Sequence, residues 1–272
     1  MSPKELVAQF IKEKLEGDIN RLATFPLGNL RNDNTFGCPN RNFDSDDTEL
    51  MRAIYCLVFS ETWENLSMDN LGDGKLRGDT LNTYNTLFSQ PWNEKFTAIW
   101  HPDNKLLSKM KEFQTTCYTI GNMAVLPDRR FGEWSINKHR GCHNEWHDYE
   151  DRFLDALYKV LTGDSDRDLD LEELVELNKE DFKPFYGKDG WIRFVEGNIL
   201  KDYVDTNYIP IIHSKGYTYW RGGYTNHDRF IAECHRYIDE STRIINNRAM
   251  IIIERIWHHL NKASINHIMI SA

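Results

Sequence analysis

The sequence predicts a predominantly α-helical fold with a few short β-strands, in a single compact domain spanning residues 1–272. Three observations lead to that class. Apolar residues recur at helical spacing in several segments, most clearly at Phe153, Leu154, Leu157, Val160 and Leu161. Runs with β preference, such as "FTAIW" and "CYTIGNMAVLP", are few and short. No repeat, low-complexity tract or linker divides the chain.

Residues 1–20 hold the N-terminal helix. Ser2 caps it, Pro3 occupies its first turn, and Leu6, Phe10, Ile11 and Leu15 form its apolar face. A loop over 25–47, "PLGNLRNDNTFGCPNRNFDSDD", follows, rich in Asn, Gly, Pro and Asp. "TELMRAIYCLVFSETWENL" predicts a second helix, "LGDGKLRGD" a turn cluster, and "TLNTYNTLFSQPW" a short helix ended by Pro91. "FTAIW" predicts a strand entering the turn "HPDN", and "NKLLSKMKEFQ" a helix. "CYTIGNMAVLP" leans to β structure and stops at Pro127. "HNEWHDYEDRFLDALYKVLTG" predicts a strong helix; "LDLEELVELN" and "WIRFVEGNILKDYV" predict shorter ones. Residues 225–263 read as one long C-terminal helix or a helix pair.

Composition narrows the function. Apolar residues are 40% and charged residues 28%, the profile of a soluble globular chain. The net charge of −9 argues against strong non-specific DNA binding, which requires a basic face to release counterions. The five cysteines are odd in number, widely spaced and without a CxxC pair. They read as reduced thiols in a cytoplasmic protein. "AMIIIERIW" is the longest late apolar run, and its charges exclude a membrane span. The capped helix at the start is not a signal peptide.

The chemistry concentrates in "SINKHRGCHNEWHDYEDR", Ser135–Arg152. Read as a metal site, His143 and His147 lie four apart on one helical face, with Glu150 or Asp151 one turn on. Two His and a carboxylate suit a divalent zinc or iron ion. The zinc-protease motif departs here, because Asn144 follows the first His and Glu145 comes one place late. Read as a phosphate site, Arg129, Arg130, Lys138 and Arg140 form a basic island, and Gly132 and Gly141 admit close backbone approach. Arg140 is then a donor fork aimed at an anion, with Asp151 holding its guanidinium. "DSDRDLDLEEL" lacks the Gly and Glu of a calcium loop, having Leu169 and Val175 there, and reads as an acidic entry to a helix.

Three resemblances bear on these readings. Arg140 with His147, and Arg229 with His235, resemble the Arg-then-His spacing of the helical ribonucleases of the HEPN superfamily. "YTIGNMAVLP", "SINKHRG" and "DRF", with "FDSD", "TLNTYNTLFSQPW" and "ILKDYV", resemble an uncharacterised bacterial family of actinobacterial type from about residue 43 to 250. That resemblance highlights Gly121, Pro127, Arg130, Asn137, Arg140, Gly141, Asp151 and Arg152, and leaves out His143 and His147. "TIGNMAVLP" with Asn137 is also similar to the His-Asn-His nuclease domain of modification-dependent restriction enzymes. That similarity implies His101 as the water-activating residue, a single bound metal, and Asn122 or Asn137 as the further polar ligand, although Trp100 replaces the usual acid.

The sequence thus points to an intracellular bacterial protein acting on a phosphate-bearing substrate, nucleic acid or nucleotide. A nuclease-like toxin or phage-defence effector fits that description. Asn137, Arg140, Asp151 and Arg152 are the candidate catalytic group. Arg129, Arg130, Gly121 and Gly141 are the candidate substrate-binding group, and His101, His143 and His147 the candidate metal ligands. The alternative is a non-enzymatic protein-binding module, such as an inhibitor, antitoxin or complex subunit, docking through "YTYWRGGY" at 217–224.

Overall fold

The computed structural model describes residues 1–38, 44–72, 76–82, 104–129, 134–142, 150–213 and 227–270. Helix α1 is Pro3–Lys14, started by a complete capping box: Glu5 N–H donates to Ser2 Oγ while the Glu5 carboxylate accepts from Ser2 N–H. The segment after it is not one open loop, since it carries 3-10 turns at Ile19–Thr24, Leu27–Leu30 and Ser45–Asp47. Thr48 caps α2, Glu49–Val58, which is shorter than its apolar pattern suggests. α3 is Met68–Gly72.

The expected turn cluster "LGDGKLRGD" gives way in its second half to a strand. "LRGDT" forms strand β1, Leu76–Thr80, paired antiparallel with β2, Met123–Pro127, in the register Leu76↔Pro127, Gly78↔Val125, Thr80↔Met123. A β-carbon on Gly78 would stand 2.5 Å from Tyr55 Cε2 and 2.7 Å from the Asp46 carbonyl oxygen. The glycine lets the strand lie directly on the Tyr55 ring and the Ser45–Asp47 turn. Thr80, expected to start a helix, ends this strand; most of that expected helix, and the expected "FTAIW" strand, lie outside the described residues.

α4 is Asn104–Thr116, and the turn Ile120–Asn122 leads into β2. α5, Ile136–Cys142, begins at Ser135, whose Oγ accepts from Lys138 N–H at 3.3 Å. α6, Glu150–Thr162, buries the predicted stripe of Phe153, Leu154, Leu157, Val160 and Leu161. α7, Leu169–Leu177, is capped by Asp168, as the acidic entry segment suggested. α8, Lys179–Phe182, and α9, Gly187–Gly197, deliver Phe182 and Phe194 to an aromatic cluster with Trp63 and Phe185.

The C-terminal segment is one helix, α10, His227–Ile270, of 44 residues. At 1.5 Å per residue it is about 66 Å long. It packs on α1, α2, α4 and the turns Ile19–Thr24 and Ile120–Asn122. Arg248 fixes it, donating to the carbonyls of Ile199, Met123 and Asn198 at 2.9–3.2 Å and to that of Gly121. Gly121 has no room for a side chain, since a β-carbon would fall 2.0 Å from the Ile245 oxygen. Among the described residues no helix is long and apolar enough to cross a membrane.

Candidate functional site

One set of charged and polar side chains meets beside the ribbon. Successive strand residues face opposite ways, so Arg77 and Asp79 share the face of β1 that turns from the Tyr55 ring. The Ser45–Asp47 turn brings Asp44 and Asp46 beside them. Arg52 holds the neighbouring Asp47 with two donors at 2.9 and 2.7 Å. The start of α5 supplies Ser135, Asn137 and Lys138 from the opposite side. Together these seven residues line a cleft of about 370 Å³.

Its electrostatics are uneven. Asp46 is 8% exposed. Burial, then a hydrogen bond with Asp44 and the charges of Asp79 and Asp44, push its carboxyl up to about 10, with Arg77 opposing. Both effects favour the protonated form of Asp46. Arg77 reaches Asp128 only at 3.7 Å and is half exposed. The Lys138 ammonium lies 5.3 Å from the Trp134 ring centre. Beneath the floor, burial first and these acids second raise the Tyr55 hydroxyl well above its usual range.

Arg140 lies under the cleft wall, 2% exposed. Its Nη2 donates to Asp79 Oδ2 at 2.5 Å and to the Thr80 carbonyl at 2.8 Å. Its Nη1 donates to Glu150 Oε2 at 3.1 Å and to the Leu81 carbonyl at 3.2 Å. Glu150 is 2% exposed, and burial raises its carboxyl to about 7 although Arg140 and Arg248 pull the other way. Next to this chain, Asn82 donates to Tyr203 Oη at 2.6 Å, and Asn122 donates to the carbonyls of Asn82 and Cys117 at 2.6 and 2.9 Å.

The residues singled out in the sequence separate accordingly. Asn137 stands in the cleft, and its buried Oδ1 accepts no hydrogen bond among the described residues. Arg140 belongs to the site from below: it orients Asp79, and its carboxylate partners among the described residues are Asp79 and Glu150, where Asp151 was expected. Asp151 is buried at the start of α6, its Oδ1 accepting from Arg152 N–H at 2.9 Å, and Arg152 follows it half-buried on that helix. Arg129 faces Asp181 at 4.0 Å and does not line the cleft. Gly121 serves the close packing of α10, and Gly141 lies within α5. Asn122 is fully buried and committed to its backbone partners.

Arg130, His101, His143 and His147, and the aromatic segment 217–224, lie outside the described residues. Among the described residues, no group of three or more His, Cys, Asp or Glu is placed to hold a metal ion. Sequence reasoning missed Asp44, Asp46, Arg77 and Asp79. The available signal was the spacing of Arg77 and Asp79, which share a face once "LRGDT" is read as a strand.

An α-dominant chain with a polar cleft beside a two-stranded ribbon is the class that fold and site define. The chain belongs to a family of unknown function, DUF6994, whose model matches residues 65–252. That segment contains Arg77, Asp79, Ser135, Asn137, Lys138, Arg140 and Glu150, and begins after Asp44 and Asp46. No curated protein and no solved structure matches the chain.

Proposed function

We propose that the cleft binds a small phosphate-bearing substrate and hydrolyses its ester by acid–base catalysis. The observation that carries this reading is one cleft lined by Asp44, the buried Asp46 and Asp79 together with Arg77 and Lys138, and burial beside these acids pushes the Asp46 carboxyl up. Carboxyls driven apart in acidity are the usual means of doing acid and base work in one site.

In this reading Arg77 and Lys138 hold the phosphate oxygens. Asp44 takes a proton from the attacking water as its oxygen bonds to phosphorus. Asp46 gives its proton to the ester oxygen as the P–O bond breaks. The products are an alcohol and inorganic phosphate, and the proton gained by Asp44 passes across their hydrogen bond to restore Asp46. Arg140 is a positioning residue that fixes Asp79 in the wall. The volume of the cleft falls near the lower end of the range of about 300–1,000 Å³ typical of small-molecule pockets. Nucleotides are therefore favoured over a duplex. The bacterial, cytoplasmic setting and the nuclease, toxin or phage-defence roles are finer forms of the same reading.

Calorimetry with inorganic phosphate and turnover of p-nitrophenyl phosphate test it. Binding that weakens in Arg77→Ala and Lys138→Ala, with turnover lost in Asp46→Asn while phosphate still binds, supports the reading. Absence of both binding and turnover contradicts it.

One observation favours the rival class, a protein-binding module. α10 exposes Met250, Ile251 and Trp257, with Trp257 51% exposed. Tryptophan in such a setting is a frequent interface anchor. A partner whose binding is lost in Trp257→Ala, in a chain that binds no phosphate, would favour that class.

A further inference from the structure

The cleft has hydrogen-bonding capacity of both kinds that the fold does not use. Ser135 is 6% exposed and lines the cleft. Its Oγ accepts from Lys138 N–H at 3.3 Å, but its own proton goes to no acceptor among the described residues. Asn137, two residues on, makes no side-chain hydrogen bond there, and its Oδ1 is buried without a donor. An unmatched buried acceptor is costly, and its place in a concavity beside a hydroxyl with a proton to give calls for a ligand that completes both.

A bare phosphate completes only half of the wall. Its oxygens accept from Arg77, Lys138 and Ser135, but they give nothing to Asn137 Oδ1 or to the remaining lone pairs of Asp44 and Asp79. Those acceptors need donors on the ligand. An ammonium group would supply donors but leave the Ser135 proton unmatched. A hydroxyl both donates and accepts at one atom, and neighbouring hydroxyls suit a wall in which donors and acceptors alternate. The charge agrees. Asp79 is already paired with Arg140, and Asp44 faces Arg77 and Lys138, so the lining does not demand a second charged group besides the phosphate.

We propose that the ligand of this cleft is a sugar phosphate, with its phosphate at Arg77 and Lys138 and its ring hydroxyls at Ser135 and Asn137. This rests on the phosphate reading above and names the other half of the substrate.

The test is calorimetry on the full chain with ribose 5-phosphate, glucose 6-phosphate, ethyl phosphate, inorganic phosphate, and free ribose and glucose. Ethyl phosphate carries the ester and the charge without sugar hydroxyls. At least one sugar phosphate is expected to bind about tenfold or more tightly than ethyl phosphate, the effect of roughly one or two added hydrogen bonds. Asn137→Ala should shrink that advantage, read as the ratio of sugar phosphate affinity to ethyl phosphate affinity. Equal binding of ethyl phosphate and both sugar phosphates overturns the sugar assignment and leaves the phosphate reading standing. Binding of a free sugar without any phosphate overturns the phosphate reading and keeps the hydroxyl half. Binding of none of the six overturns both.

Discussion

Arg140 Nη2 donates to Asp79 Oδ2 at 2.5 Å from beneath the cleft, so a wall carboxylate is held by a guanidinium that is itself 2% exposed. The same guanidinium holds Glu150 with its other arm at 3.1 Å. Removing Arg140 would strand two carboxylates and two carbonyls. Arg140→Ala is therefore expected to cost about 3–5 kcal/mol of stability. Arg140→Lys should recover little, because one ammonium cannot reproduce the planar fork. Urea denaturation measures both, and a near-normal midpoint for Arg140→Ala would contradict this placement.

Two buried carboxyls set a pH dependence. Glu150 is raised to about 7 and Asp46 to about 10 in the folded chain, while unfolded carboxylates titrate near 4. Above that unfolded value the folded state binds more protons than the unfolded state. Stability contributed by each group is thus full below pH of about 4 and is lost as pH rises through the folded pKa. Denaturation midpoints are expected to fall from pH 5 to 9. Glu150→Gln should flatten the fall up to about pH 7, and Asp46→Asn the part that continues toward pH 10. A rise in stability over this range in the unaltered chain would refute the assignment.

Gly78 offers a test of how the cleft is built. A β-carbon there meets the Tyr55 ring at 2.5 Å and the Asp46 carbonyl at 2.7 Å. Gly78→Ala should cost about 1–3 kcal/mol through overpacking and weaken phosphate binding by displacing the Asp46 turn. Melting and calorimetry on the same sample read both effects, and an unchanged variant would show that this contact can relax.

Gly121→Ala should be as harmful to stability, for a different reason. Its β-carbon would fall 2.0 Å from the Ile245 backbone oxygen, so α10 must move as a helix. A loss of about 1–3 kcal/mol or more is expected. The variant's thermal melt decides, and a melting temperature equal to that of the parent would exclude the tight crossing.

The helices legible in the sequence are those whose stripes meet the core directly. Phe153 to Leu161 in α6 and the Asp168-capped α7 follow from spacing and capping alone. β1 was illegible because its glycine and charged residues are turn-forming locally. It is a strand because Gly78 fits over Tyr55 and Asp46, a tertiary requirement. Asn137 and Lys138 were visible as polar residues beside a basic island. The burial of Arg140 was not, since its acceptors come from residues 79–81 on a strand distant in sequence. The acidic half of the cleft was hidden likewise: Asp44 and Asp46 sit in a segment read as a loop, where "FDSD" served only as part of a family resemblance, and only the fold brings them to Asn137.

The acidity of Asp46 decides whether this cleft can do acid–base work. Carboxyl carbon NMR of the full chain across pH, with Asp46→Asn to assign the signal, reads it. One aspartate resonance, absent from Asp46→Asn, is expected to stay protonated at pH 7 and titrate near pH 10. An Asp46 carboxyl that titrates near the ordinary aspartate value of about 4 would rule out its role as the acid of the cleft.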